Sequence, residues 1–394
     1  MKQYFWFSAR QTIHSRRALV VVLLTTCWLA GCGGGGGGSS NGPAPGTGGS
    51  TGVTTYGDTT LPGRLVVNAG GGKVSEVFDL RTGQRAKLPA SSTDPEHDSY
   101  SAGADTTTLL RLTQNIGGPQ IEIAFINATG FAAARAPLQM SDRVHTPLLS
   151  ADGRFILTFW DDHSSFESNK LTIFDAATGA VVKRTSRLDG FSVIGDPAAW
   201  LPDGRYVYLV KKSLYVTAPD NPNVDLLIKD MALPSDVSAD VSLSSIAVSP
   251  DGKRLAFDWV EPRKGGISND SNLWVVNLDG TGLHRLTSAP DPTSPLDYVH
   301  GSPTWSPDGK WVAGVLYMSG VSTAPAFPDA PFGGDRITGF VGCCDQVFVV
   351  DADGPEIALS WPSYDAAHGV KVFAPTGTSG QWLGTNGGLI YWIP

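Results

Sequence analysis

The sequence predicts an all-β chain folded as a single β-propeller of four-stranded antiparallel blades. Three observations predict it. An Asp-Gly hairpin between two apolar strands is written four times at similar spacing. A second two-strand element alternates with those hairpins along the chain. Of 394 residues, 47 are Gly, 27 are Pro and only 17% are charged, a balance that favours short strands and turns over long solvated helices. Past the N-terminal segment no window shows helical periodicity.

The hairpins read SADGR at 150–154, LPDGR at 201–205, SPDGK at 249–253 and SPDGK at 306–310. Their aspartates, Asp152, Asp203, Asp251 and Asp308, lie 51, 48 and 57 residues apart. Proline presets the turn's φ, the aspartate bonds its own following backbone, and glycine takes the positive φ. Each hairpin follows an apolar strand (TPLL, PAAW, SIAV, SPTW) and precedes an alternating one (RFILTFW, RYVYLV, KRLAFDW, KWVAGVLY). Between them recur VFDLRTGQRAKL (77–88), IAFINATGFAAARAPL (123–138) and LTIFDAATGAVVKRT (171–185). LYVTAPDNPNVDLLI (214–228), LWVVNLDGTGLHRLT (273–287) and VFVVDADGPEIAL (347–359) continue the series. Together the two elements give four strands per unit at a period near 48, the signature of a propeller blade.

The pairing of W-S-P-D-G-K with L-W-V-V-N-L-D-G and a following R-L-T resembles the WD40-like repeat of TolB-type β-propellers. The resemblance is strongest over 248–287 and 299–317 and extends over about 55–394. It implies a fold and, for the family, protein-partner binding at the cell envelope. A separate amino-terminal α/β domain like that of TolB itself is not seen in the sequence. Seven blades is the favoured count and six the runner-up. The tail 369–394 reads as three strands of a last blade, completed by an outer strand from 52–60 that closes the ring and removes an exposed edge.

The N-terminus reads as a targeting segment. Lys2, Arg10, Arg16 and Arg17 form a basic region, and Ala18 to Leu29 form an apolar run too short to span a bilayer. Leu29-Ala30-Gly31-Cys32 resembles a bacterial lipobox, which implies cleavage after residue 31 and a lipidated Cys32. By the same lipoprotein resemblance, Gly33 in place of an aspartate after the cysteine implies the outer membrane, in a source with two membranes, with the protein expected to face the periplasm. Residues 32–54, rich in Gly, Ser and Pro, read as a tether with a reach of roughly 25 Å. The propeller then occupies 55–394. Removing 1–31, with four basic and no acidic side chains, takes the formal charge from −8 to −12. Such a chain is a poor nucleic-acid binder, so membrane attachment is expected through lipid alone. A monomer with an envelope-protein or cell-wall-associated partner is expected.

Cys343 and Cys344 are the two cysteines of the propeller region. In an oxidising compartment they form a vicinal disulfide or remain two thiols. The stretch Ser319 to Gly342 exceeds the repeat, is rich in Pro and Gly, and carries Phe327, Phe332 and Phe340. It reads either as an insertion packed on its own aromatics or as a binding loop. WDDHSSFESNK at 160–170 reads as a solvated hairpin tip.

G-x-S-x-G occurs only within the Gly/Ser-rich tether, at 38–42 and 48–52, with no strand before it or helix after it to form an elbow. Neither H-E-x-x-H nor a phosphate-cradling G-x-x-x-x-G-K-[ST] occurs, so no catalytic residue is assigned. The prolyl-oligopeptidase relatives of such propellers add a hydrolase domain, and the repeats leave no room for one here. One pattern points to a site. His97, His145, His300 and His368 each precede an inner strand, and Asp196 sits similarly before PAAW. Gathered at one channel mouth, they are binding candidates. His145, His300 and His368 form the alternative metal set, since imidazoles suit divalent transition metals. Oligogalacturonate lyases, which resemble TolB-type propellers, bind a metal in this way. That resemblance implies a metal-dependent polysaccharide lyase or hydrolase as the alternative to a scaffold. Otherwise no cofactor is expected. The hairpin aspartates read as structural, and the strand tryptophans as blade packing.

Overall fold

The computed structural model describes residues 60–67, 75–90, 98–114, 121–140, 144–160, 170–184, 198–210, 212–221, 225–228, 231, 242–262, 269–289, 296–322, 339–359, 371–372 and 390–394. The chain separates into a unit of residues 1–54 and a unit of residues 55–394, and every described residue belongs to the second.

Alternating apolar strands and tight turns fold into successive antiparallel sheets. Blade two comprises Asp98–Ala102, Thr108–Gln114, Ile121–Asn127 and Ala133–Met140. Blade three comprises Val144–Leu149, Phe155–Trp160, Lys170–Asp175 and Val181–Arg184. Blade four comprises Ala198–Trp200, Tyr206–Val210, Ser213–Thr217 and Asp225–Ile228. Blade five comprises Ser242–Val248, Arg254–Pro262, Asn269–Asn277 and the short His284–Arg285. Blade six comprises Leu296–Trp305, Trp311–Ser322, Gly339–Asp351 and Lys371–Val372. Blade one is closed by the chain's end: Ile390–Ile393 pairs as innermost strand with Arg64–Val67, followed by Glu76–Asp79 and Arg85–Lys87.

The inner strands close a circle. Strand 390–393 lies beside 98–102, which lies beside 144–149, then 198–200, 242–248, 296–305 and 390–393 again. Six apolar clusters of buried residues fill the six seams between successive blades. Each blade feeds two of them, because successive side chains of a strand point to opposite faces. In blade five, Leu255, Phe257 and Trp259 pack towards blade four while Ala256 packs towards blade six. A side chain buried to this degree contributes about 1.5–3 kcal/mol, so the seams hold the ring together.

The described residues therefore form six blades, the second of the two expected counts. The described parts of the tail join existing blades. Lys371–Val372 joins the outer edge of blade six and Ile390–Ile393 the inner edge of blade one, so one segment serves two existing blades. A closing strand comes from the C-terminus and takes the innermost position of blade one, while the outer strand expected from 52–60 lies, except for Thr60, outside the described residues. The sixth return strand also departs from the repeat. Ile357–Ala358 pairs in parallel with Thr287–Ser288 of the blade-five side, and does not fold back on Gly339–Asp351.

The hairpins repeat one hydrogen-bonded module. Ser150, Ser249 and Ser306 each donate a hydroxyl to Asp152, Asp251 and Asp308 at 2.6 Å. Each serine oxygen also accepts the backbone N–H five residues on, from Phe155, Arg254 and Trp311 at 2.9–3.0 Å. The aspartate accepts the N–H two residues on, at 3.1–3.2 Å. Gly252 sits at φ 67°, and a Cβ there would lie 2.8 Å from Pro202 Cδ. A fifth copy has no Asp-Gly in its sequence. Asp105 accepts the N–H groups of Thr107 and Thr108 at 3.0 Å each, while Thr106 takes the positive φ of 56° in place of glycine.

Polar clips cross the seams. Trp200 donates its indole N–H to Leu148 O at 2.8 Å, and Trp305 donates to Ala247 O at 3.0 Å, each reaching the preceding blade's inner strand. Lys183 of blade three donates to Asn221 O at 2.6 Å beyond blade four's third strand. Burial, chiefly, lowers the basicity of its ammonium.

Candidate functional site

The up-and-down topology gives the ring two unlike faces. One carries the tight Asp-Gly hairpins. The other carries the starts of the inner strands and the connections between second and third strands. On that second face blades five and six outgrow the rest. Their second and third strands run nine and nine residues, and twelve and thirteen, against four each in blade one.

Blade six projects a ribbon. Its ladder continues from Met318↔Cys343 through Ser319↔Gly342, Gly320↔Val341 and Val321↔Phe340 to Ser322↔Gly339. The inner strand follows it on the other side, Leu296 opposite Gly320 and Val299 opposite Tyr317. The sequence reading of Ser319 to Gly342 as one long loop is therefore corrected at both ends: four residues on each side are strand, because the hairpin ladder continues past the blade. A parallel bridge, Ser271↔Val299, joins blade five to this extension, so the two blades form one sheet there.

Beneath the extension lies a buried polar network at the five–six seam. Asp258 is fully buried and accepts the Ser245 hydroxyl at 2.7 Å, the Ser245 N–H at 2.5 Å and the Ser271 hydroxyl at 3.4 Å. Ser302 N–H of blade six in turn donates to Ser245 Oγ at 3.1 Å. The cause is local. The inner strand of blade five shifts register between Leu243 and Ile246, which frees the Ser245 N–H from the ladder, and Asp258 satisfies it. Asp270, Ser271 and Asn272 beside it are also buried. Sequence reasoning missed this network. Its signal was a carboxylate inside the apolar run Leu255-Ala256-Phe257-Asp258-Trp259, where a charge is tolerated only with partners.

The inner strands of blades three and six carry the same irregularity. Register shifts between His145 and Leu148 and between Gly301 and Thr304. Thr146 and Ser302, each followed by proline, take positive φ of 43° and 53°. His145 therefore directly precedes the bulge of blade three, and His300 lies two residues before Ser302 in blade six. The bulge lies at the same distance from the hairpin in both blades, six residues from Thr146 to Asp152 and from Ser302 to Asp308, so the register position of His145 is matched by Gly301 and His300 sits one residue earlier. Blades three and six stand opposite each other in the ring of six. His97, Asp196 and His368 lie outside the described residues, as do Cys32, Phe327 and Phe332. Phe340, Cys343 and Cys344 lie on the third strand of blade six, in or just past the ribbon. Among the described residues no group of three His, Cys, Asp or Glu side chains is placed to hold a metal. No helix among them is long and apolar enough to cross a membrane.

A shallow cleft of about 380 Å³ opens on the outer side of the same seam, between His284, Arg285 and Glu356. Arg285 stacks over Trp274 at 4.8 Å and reaches Glu356 at 3.5 Å, so its charge is engaged within the seam.

The ring, its seams and its blades define the protein as a β-propeller, with six blades among the described residues. No family model matches the chain, and no curated protein matches it. Among solved structures it is similar to a putative TolB from Agrobacterium tumefaciens, at 16% identity over 84% of this chain and 99% of that one, with a TM-score of 0.44. It is also similar to an oligogalacturonate lyase from Vibrio parahaemolyticus, at 12% identity over 81% of this chain and 80% of that one, with a TM-score of 0.40. The propeller domain of the trilobed protease from Pyrococcus furiosus matches at 13% identity over 73% and 90%, with a TM-score of 0.37.

Proposed function

We propose that this chain is an envelope-anchored lipoprotein whose propeller is a protein-binding scaffold without catalysis of its own. The observation that carries this reading is the blade-six ribbon, joined to blade five on the face opposite the tight hairpins. An extended strand pair raised from a rigid ring presents side chains and one backbone edge to a partner at low cost in ordering. The lipobox at Cys32 supplies attachment, and the Gly/Ser/Pro-rich composition of 32–54 suits a tether with a reach of roughly 25 Å. The partner is an envelope or cell-wall-associated protein, the location is the periplasmic side of the outer membrane, and the chain acts as a monomer.

A photo-crosslinking side chain placed at Phe340, on the ribbon, and at Asp203, on the hairpin face, tests the reading in intact cells. One envelope protein captured from Phe340 and not from Asp203 is the expected result. Equal capture from both positions, or capture only from Asp203, removes the ribbon from the argument. Lipid attachment is tested separately by fatty-acid labelling, which Cys32→Ala should abolish.

A second reading, a metal-dependent polysaccharide lyase or hydrolase, draws support from one observation: His145 and His300 both precede inner-strand bulges on opposite blades. Elemental analysis of the purified protein separates the two. A stoichiometric divalent metal that disappears in His145→Ala or His300→Ala favours the lyase, whereas no bound metal is expected under the scaffold reading.

A further inference from the structure

We infer that Cys343 and Cys344 are a redox-responsive pair that controls strand pairing at the base of the blade-six ribbon. In a regular strand, adjacent side chains point to opposite faces, too far apart for the Cβ separation of about 3.5–4.5 Å that a disulfide needs. The ladder is not regular here. Leu316 pairs with Gln346, and the next pair is Met318 with Cys343, so both Cys344 and Asp345 stand opposite Tyr317. That is a bulge, where the extra residue leaves the ladder and the strand bends. Cys343 is the first paired residue of the ribbon, and Cys344 is one of the two residues in the bulge. The only two cysteines of the 55–394 unit thus straddle the one register shift in this strand pair.

The chemistry is thiol–disulfide exchange with a small-molecule or protein disulfide. One thiolate attacks that disulfide and expels a thiolate, and the neighbouring thiolate then displaces the second. Two electrons pass to the exchange partner, which leaves as two thiols carrying the two protons, and one S–S bond forms between Cys343 and Cys344. The small ring so closed fixes the peptide between them and cannot keep the extended pleat that Cys343 needs opposite Met318. In the dithiol the pairing runs on into the ribbon. In the disulfide the ribbon's five pairs lose their first member. The inference holds whether or not the ribbon docks a partner.

Full-length protein in detergent is equilibrated in reduced or oxidised glutathione, and its amide hydrogen exchange is followed by mass spectrometry. The tryptic peptide Ile337–Lys371 holds both cysteines and no others. It should lose two hydrogen atoms in oxidised buffer. Amides of Met318–Ser322 and Gly339–Cys343 should then exchange at least about tenfold faster, with the blade-three hairpin unchanged. The Cys343→Ser/Cys344→Ser variant should keep slow exchange in both buffers. Failure of the peptide to lose two hydrogens under excess oxidised glutathione overturns the inference. So does a disulfide that forms without change in ribbon exchange, or a change spread evenly over all blades.

Discussion

Ser249→Ala isolates the bond on which the repeated hairpin depends. The Ser249 side chain is 1% exposed, gives its proton to Asp251 at 2.6 Å and receives the Arg254 N–H at 2.9 Å. Asp251 itself faces solvent, so water replaces most of what its carboxylate loses. The Arg254 N–H is part-buried and loses its acceptor, which costs about 1–3 kcal/mol. We therefore expect a loss of about 1–2 kcal/mol in urea unfolding, read as a lower midpoint with an unchanged slope. Asp251→Ala removes the other half of the same contact. The double variant should cost less than the two single variants summed, since both act through one network. Ser150→Ala should repeat the loss in blade three. A neutral Ser249→Ala, or strict additivity in the double variant, refutes the view that the serine organises the hairpin.

Deleting residues 390–394 removes Ile390, Trp392 and Ile393 from seams where each is at most 3% exposed, along with the Trp392 indole bond to Pro62 O at 2.7 Å. At about 1.5–3 kcal/mol per side chain this consumes most of an ordinary stability margin, so the truncated chain should be insoluble or rapidly digested, and intact melting behaviour would contradict ring closure. Tyr206→Phe should be neutral or stabilising by up to about 1 kcal/mol, because the buried Tyr206 hydroxyl has no hydrogen-bond partner among the described residues; a clear loss on thermal unfolding would show a partner. Acid should weaken the ring. Asp175, Asp203 and Asp279 are held below the usual carboxylate range chiefly by side-chain bonds from Thr178, Arg205 and Thr281. In Asp152 and Asp251 partial burial pushes upward but is outweighed by the Ser150 and Ser249 hydroxyls and nearby backbone N–H groups. Their stabilisation is complete above the unfolded value near 3.9 and is lost as pH falls through the depressed folded values, so the urea midpoint should be flat from about pH 7 to 5 and fall below about pH 4.

The hairpins were legible because their chemistry is local. Asp152, Asp203, Asp251 and Asp308 each bond backbone within a few residues, so the residues that make the turn are adjacent in the chain. Where another residue does the same work the pattern disappears: Thr106 takes the positive φ that glycine takes elsewhere, and blade two shows no Asp-Gly at that turn. Asp258 was visible as a polar residue in an apolar strand. Its partner Ser245 was not identifiable, because a bulge in a neighbouring strand decides which N–H is left over.

The sequence by itself determined the blade: strand alternation, turn chemistry and period all act over fewer than about 50 residues and favour one unit. Tertiary structure decided how many such units close and with which strand. That count depends on how the blades pack around the axis and on where the last strand finds an unpaired edge, and Ile390–Ile393 finds it beside Arg64–Val67, more than 320 residues away. It also decided that the hairpin of blade six runs beyond its blade as a ribbon with a bulge at its base. A ladder is a property of two strands, and neither strand alone records where the pairing stops.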